Sequence, residues 1–165
     1  MTSPTVSGNN YTFFSWVGLV FWVGLSFTAA WIGSRFGPGE WYLTLAKPSF
    51  TPPAWIFAPV WTLLYLLMGL AAWLVWQRSG LAGGKLALML FVVQLALNAA
   101  WSWIFFGEHR IGLALADLAA LWLTLAATLL AFWVHRPLAG LLRVPYLSWV
   151  SFAALLNFAF WRLNG

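Results

Sequence analysis

The sequence predicts an all-α integral membrane protein, a bundle of five transmembrane helices. Of its 165 residues, 63% are hydrophobic and only 7% are charged, against about 25% charged residues in a soluble domain. Long uncharged windows separate the few charges, and about 20 apolar residues suffice to cross a bilayer. Runs such as 118–123 are apolar at consecutive positions. This pattern favours helices over barrel strands, whose side chains alternate between lipid and lumen.

The first two helices are predicted at residues 12–34 and 54–77, which are uncharged and long enough to span a bilayer. No basic residue precedes Tyr11, and the first apolar run is longer than the apolar part of a signal peptide. We therefore expect the first helix to be retained. The polar segment 1–10 before it is predicted to be disordered.

The third, fourth and fifth helices are predicted at 86–106, 111–134 and 144–162. The fourth window is long enough only if Asp117 lies inside the span. The links between these helices are short, so neighbouring helices are expected to run antiparallel. Together the five helices form one predicted domain over residues 11–165.

The longest link, residues 35–53, is predicted to be a gating loop. It contains four prolines, which fix φ and lack a backbone donor, so we expect an ordered lid with little regular structure. Trp41 and Tyr42 give this loop apolar surface with polar tips. An aromatic belt at the lipid headgroups is the alternative interpretation of these two residues.

Three predicted helices carry a face that combines aromatic with small or polar side chains at helical spacing. The faces comprise Trp61, Tyr65, Met68 and Ala72; Gln94, Asn98 and Trp101; and Tyr146, Trp149, Ala153 and Asn157. If the faces converge, they suit a large, flat, apolar ligand held by stacking and a few hydrogen bonds. Hydrogen bonding between helices is the alternative role of the amides.

The sequence contains no catalytic or metal-binding pattern. Cysteine is absent, the two histidines His109 and His135 fall in links, and no nucleophile–base set shares a membrane face. Asp117 is the single acid in a predicted span, and we expect a helix-packing or interfacial role for it, with a proton relay as the alternative. The basic residues are scattered, which argues against nucleic acid as a partner. These features favour a binding protein that requires no cofactor over an enzyme.

Several blocks resemble the translocator protein family (TspO, the peripheral benzodiazepine receptor type, tryptophan-rich sensory proteins). In chain order they are Trp41-Tyr42, the run from Lys47 to Trp55, the run from Trp61 to Tyr65, Gln94 to Asn98 with Trp101-Ser102, and Pro145 to Trp149 with Phe152-Ala153 and Leu156-Asn157. The resemblance covers about residues 31–162.

The resemblance implies a five-helix bundle, usually a homodimer, with a pocket closed by the first loop. Family members bind porphyrins, and many bind sterols and benzodiazepine-type drugs, so protoporphyrin IX is the expected ligand. The pocket residues that it implies are Trp41, Tyr42, Pro52, Trp61, Tyr65, Asn98, Trp101, Trp149, Ala153 and Leu156.

One position departs from the family pattern. A proposed sterol motif near the end of the fifth helix needs a tyrosine where this chain has Phe158. This argues against high-affinity sterol binding. The expected function is sensing, transport or regulation of tetrapyrroles in a membrane, most simply that of a bacterial cell. Light-dependent porphyrin degradation and a membrane scaffold are the alternatives.

Overall fold

A computed structural model of the chain describes residues 8–165, and side chains from residue 15 onward. The described part is helical and contains no strand. Five of its helices are long and apolar enough to cross a membrane, which confirms the predicted all-α membrane bundle. The helices are α1 (Gly8–Ser34), α2 (Glu40–Thr44), α3 (Ala54–Gly83), α4 (Lys85–Ser102), α5 (Ile111–His135), α6 (Pro137–Leu141) and α7 (Val144–Asn164).

Two of the long helices extend beyond their predicted ends. Helix α1 begins at Gly8, so residues 8–10, predicted to be disordered, are helical, whereas residues 1–7 lie outside the described part. Helix α3 continues to Gly83 across a break at Gly80, whose φ of 64° suits glycine. Hydropathy marks where a helix leaves the hydrocarbon and does not mark where its hydrogen bonds end.

The two short helices lie in links between the predicted spans, and of these links only the gating loop was predicted to have little regular structure. Helix α2 occupies part of the gating loop, where an extended Gly39 precedes its first turn. Helix α6 follows α5 after one residue and starts with Pro137, whose fixed φ favours the first position of a helix. The expectation of little regular structure in the lid is therefore wrong for residues 40–44.

The long helices surround a central space. Helix α1 packs against α3 and α4, α4 packs against α5, and α5 packs against α7. Helices α3 and α7 approach each other through aromatic side chains, with Trp61 and Trp149 in edge-to-face contact at 6.4 Å. Between α3 and α7 the bundle is therefore closed by aromatic side chains rather than by close approach of the two backbones.

One half of the bundle is densely packed. A Cβ atom on Gly69 of α3 would lie 2.5 Å from the Cα of Val23 on α1, and one on Gly18 would lie 2.1 Å from the Trp76 ring. Next to these contacts Met68 and Val75 are fully buried. Glycine thus allows α1 and α3 to touch in this half.

A π-helical turn, Trp103–Gly107, continues α4. The N–H of Glu108 donates to the carbonyl of Trp103 at 2.9 Å, a bond between residues five apart. Phe105 in this turn is buried. The turn adds aromatic side chains at the end of α4 that faces the lid.

Candidate ligand-binding cavity

A cavity of about 1020 Å³ occupies the half of the bundle beneath the gating loop. Side chains from α1, the loop, α3, α4, the π turn, α5 and α7 line it. Its size is at the upper end of the range of small-molecule sites, about 300–1,000 Å³. The space is therefore large enough for a ligand with several fused or linked rings.

The polar part of the lining includes a hydrogen bond between two buried side chains. The Tyr65 hydroxyl on α3 donates to Oδ1 of Asn98 on α4. Leu118 and Leu121 of α5 complete this part of the lining. The arrangement gives a mostly apolar surface with one amide and one hydroxyl at a fixed position.

The walls between α3 and α7 are aromatic. Trp61 stacks on Tyr65 with centroids 5.5 Å apart, and its plane is nearly perpendicular to that of Trp149. Phe57 contacts Trp149 at 5.8 Å. Aromatic rings bury large areas at low entropic cost and prefer such offset or edge-to-face geometries. Their faces and edges suit a flat apolar ligand.

A hydrogen-bond network fixes the wall between α4 and α7. The indole N–H of Trp101 donates to Oδ1 of Asn157 at 3.0 Å. The Nδ2 of Asn157 donates to the carbonyl of Ile111, also at 3.0 Å. One buried amide therefore joins α4, α5 and α7, and orients the Trp101 ring beside the cavity.

The lid is attached to the bundle at two places. Asn164 of α7 forms two hydrogen bonds with the backbone of Ala46, at 2.8 and 3.0 Å. Trp41 stacks on His109 at 4.2 Å. These contacts hold the loop over the cavity mouth.

Tyr42 lies on the cavity side of the lid. Its ring contacts Phe106 and Phe160 at 5.6 Å, and the ammonium group of Lys47 lies 4.8 Å from its centroid. Burial raises the pKa of the Tyr42 hydroxyl above its usual 10.0. The hydroxyl is therefore neutral at physiological pH and can donate a hydrogen bond.

Nine of the ten residues singled out by the sequence line the cavity, and Trp41 does not. The nine are Tyr42, Pro52, Trp61, Tyr65, Asn98, Trp101, Trp149, Ala153 and Leu156. Trp41 instead packs between Phe105 and His109. Both residues lie in α2, a helix that was not predicted, so the sequence carried no signal for which of two adjacent rings would face inward.

The three predicted helical faces converge, but only part of each face reaches the cavity. Met68, Ala72, Gln94 and Tyr146 are absent from its lining and are buried among the helices. Each of these four lies toward the densely packed half. Along the helix axes, the cavity is therefore shorter than the predicted faces that line it.

Aromatic lining residues on α1 and in the π turn were not identified from the sequence. Phe27 and Trp31 on α1 line the cavity, as do Phe105 and Phe106 in the π turn. The spacing of Phe27, Ala30, Trp31 and Ser34 by three and four residues was the available signal on α1. Hydropathy and helical spacing give no signal for a π turn.

The cavity has a side that faces the membrane. Phe27 and Trp31 of α1 and Ala58 and Thr62 of α3 line it and are also exposed on the outer surface. In a bilayer this surface contacts acyl chains.

The lining contains aromatic, aliphatic, amide and hydroxyl groups and one ammonium group, that of Lys47. In the part of the chain that the structure describes, no three His, Asp or Glu side chains lie close enough together to hold a metal ion. The lining can bind a ligand by stacking, burial and hydrogen bonding. It contains no carboxylate or imidazole for proton transfer.

Comparison with known proteins identifies the family. Residues 16–162 match the TspO/MBR family. Protein CrtK of Rhodobacter capsulatus is 46% identical over 80% of this chain and 83% of its own length. The human translocator protein is 44% identical over 87% and 91%, and the tryptophan-rich protein TspO of Chlorobaculum tepidum is 44% identical over 86% and 92%. With matches of this extent, on a five-helix membrane bundle, the chain belongs to the TspO/MBR family of integral membrane proteins.

Proposed function

We propose that this protein binds porphyrins and related tetrapyrroles in the cavity and acts in their sensing, transport or regulation. The observation that carries the proposal is the aromatic wall of Trp61 and Trp149 on a cavity of about 1020 Å³. A macrocycle is flat, large and apolar at its faces. It gains most from surfaces that present ring faces and edges together.

The polar groups of the cavity support the same ligand class. Asn98 and Tyr65 offer an amide and a hydroxyl at one part of the lining, and Tyr42 offers a hydroxyl at the lid. A few placed polar groups in an apolar pocket fix the orientation of a ligand. Sterols and benzodiazepine-type compounds also have large apolar surfaces, so we propose them as secondary candidate ligands that compete with porphyrins for the cavity.

The test is a titration of the protein in lipid nanodiscs with protoporphyrin IX, followed by quenching of tryptophan fluorescence. We expect saturable quenching and, for Trp149→Ala, an affinity lower by about tenfold because one stacking surface is lost. Trp55→Ala is the matched control, since Trp55 is 74% exposed and does not line the cavity. Equal affinities of wild type and Trp149→Ala would contradict the proposed site.

Light-dependent degradation of the bound porphyrin is the second candidate function. The observation in its favour is that two oxidisable indoles, Trp61 and Trp149, line the space where the pigment would lie. More than one porphyrin consumed per protein in light would support catalysis. A reaction that stops at one equivalent, with loss of tryptophan, would contradict it.

The homodimer that the family resemblance implies stays a prediction. The molar mass of the protein in nanodiscs or detergent, measured by light scattering, tests it.

A further inference from the structure

Arg143 lies at the start of α7, and its side chain is fully buried. An arginine near the end of a membrane helix ordinarily extends toward the interface. The guanidinium carbon instead lies 5.1 Å from the centroid of Phe132, 5.4 Å from that of Phe91 and 5.9 Å from that of Tyr146. Nε, Nη1 and Nη2 have no hydrogen-bond partner among the described residues.

No carboxylate of the described residues balances this charge. Asp117, the single acid within a span, lies about four turns along α5 from Phe132, or about 22 Å at 1.5 Å per residue. A guanidinium keeps its proton in proteins. Burying it without an anion is costly, and contacts with aromatic faces recover only part of the lost hydration. Arg143 is therefore a source of uncompensated positive potential inside the bundle.

The charge is close to the cavity. The Tyr146 ring, which contacts the guanidinium, packs on Trp61 with centroids 6.1 Å apart, and Trp61 lines the cavity. Val150, one turn after Tyr146 on α7, also lines it. One aromatic layer thus separates Arg143 from the ligand space.

The intervening layer is itself polar. The Tyr146 hydroxyl is fully buried, and Oε1 of Gln94 is buried without a hydrogen-bond partner among the described residues. No Asp or Glu lines the cavity, and Lys47 in the lid is the one formally charged group in its lining. Two positive groups therefore flank the cavity, Arg143 behind the Tyr146 ring and Lys47 in the lid.

We infer that Arg143 is a specificity determinant that makes the cavity favour carboxylate-bearing ligands over neutral ligands of the same shape. This inference rests on the proposed porphyrin site and adds the charge of its ligand. A buried charge acts through low dielectric and is little screened by salt, whereas an exposed charge is screened. Lys47 is exposed, so salt separates the two contributions.

The experiment compares protoporphyrin IX, a dicarboxylic acid, with its dimethyl ester, by tryptophan quenching in nanodiscs of zwitterionic lipid. The measured quantity is the ratio of the two dissociation constants in each variant, because partitioning of either compound into lipid is then the same throughout. We expect Arg143→Met to lower the preference for the acid about tenfold at constant ester affinity. Arg143→Lys, which keeps the charge, should retain most of the preference.

Two further variants complete the design. Lys47→Met should lower the preference at low salt and lose its effect at high salt, while the effect of Arg143→Met persists at both. If Arg143→Met does not fold, Arg143→Gln provides the same comparison with a polar side chain. It should lower the preference as Arg143→Met does.

The outcomes separate the two proposals. A preference unchanged in Arg143→Gln, or an equal loss of acid and ester affinity in Arg143→Met, would overturn the inference and leave Arg143 a structural residue. Failure of both porphyrins to bind the wild-type protein would instead contradict the proposed function.

Discussion

The two halves of the bundle use the same helices, α1 and α3, in opposite ways. In the densely packed half, called the closed half below, Gly18 and Gly69 allow direct contact with Trp76 and Val23. In the half beneath the gating loop, called the open half below, residues of both helices line the cavity. Phe27 is one of those on α1 and Thr62 is one of those on α3. Apolar composition does not distinguish the halves. Side-chain size at the contacts does: small residues bring helices together, and large aromatic ones line the space between them.

The largest effect is expected from breaking the closed half. In Gly69→Ala the new Cβ would lie 2.5 Å from the Cα of Val23, so the backbones must separate. We expect a loss of unfolding free energy of about 1–3 kcal/mol, measured by thermal unfolding in detergent. Gly24→Ala on α1 is the control, because a Cβ there meets no atom within 4 Å. Equal stabilities of the two variants would contradict the close packing.

The next effect concerns the network that fixes the wall of the open half. In Asn157→Leu the Trp101 indole N–H and the Ile111 carbonyl lose their partner. Interhelical hydrogen bonds in membranes contribute about 0.6–2 kcal/mol, so we expect a stability loss of that order. Porphyrin affinity, measured by titration, should also fall because Trp101 loses its orientation. An affinity equal to that of wild type would show that Trp101 does not contact the ligand.

The lid should respond in kinetics more than in stability. Asn164→Ala removes both hydrogen bonds to Ala46, each of which contributes about 0.5–1.5 kcal/mol. We expect ligand dissociation to become about two- to tenfold faster, measured by stopped-flow displacement, with little change in thermal unfolding. Asn164→Asp keeps the acceptor for the Ala46 N–H and should give an intermediate rate. An unchanged rate in Asn164→Ala would show that the lid does not control release.

The smallest effect is a pH dependence of the lid at Tyr42. Because burial raises the pKa of this hydroxyl above 10.0, the folded lid favours the protonated form. Its contribution to stability is complete below pH 10 and is lost as the pH rises through the raised pKa. Ligand dissociation should accelerate about twofold above pH 10 in wild type and stay constant in Tyr42→Phe. The same acceleration in both would assign it to another group.

The sequence was sufficient for the five spans because nearly all charged residues lie between the apolar windows and mark where they end. It was also sufficient for the converging faces, since residues such as Asn98 and Trp101 share a side at helical spacing. It could not reveal how far down the faces the cavity extends. That depends on glycine contacts such as Gly69 with Val23, which are set by residues distant in sequence.

The burial of Arg143 was not predictable for a related reason. The apolar windows place Arg143, like Arg136, in the link between the fourth and fifth predicted helices. The structure inserts α6 into that link, and the side chain of Arg143 is enclosed by Phe91 and Phe132. A short helix of five residues does not register in a hydropathy window, and neither do the contacts of a side chain with residues distant in sequence.

The π-helical turn has a consequence for how ligand surfaces can arise. In a regular α-helix residues five apart point about 140° away from each other, so Trp101 and Phe106 would not share a side. Here both line the cavity and their rings touch at 5.7 Å. A single inserted residue produces such a turn without disrupting the helix around it. A change in chain length, with no substitution, can thus recruit an additional aromatic ring to a ligand surface.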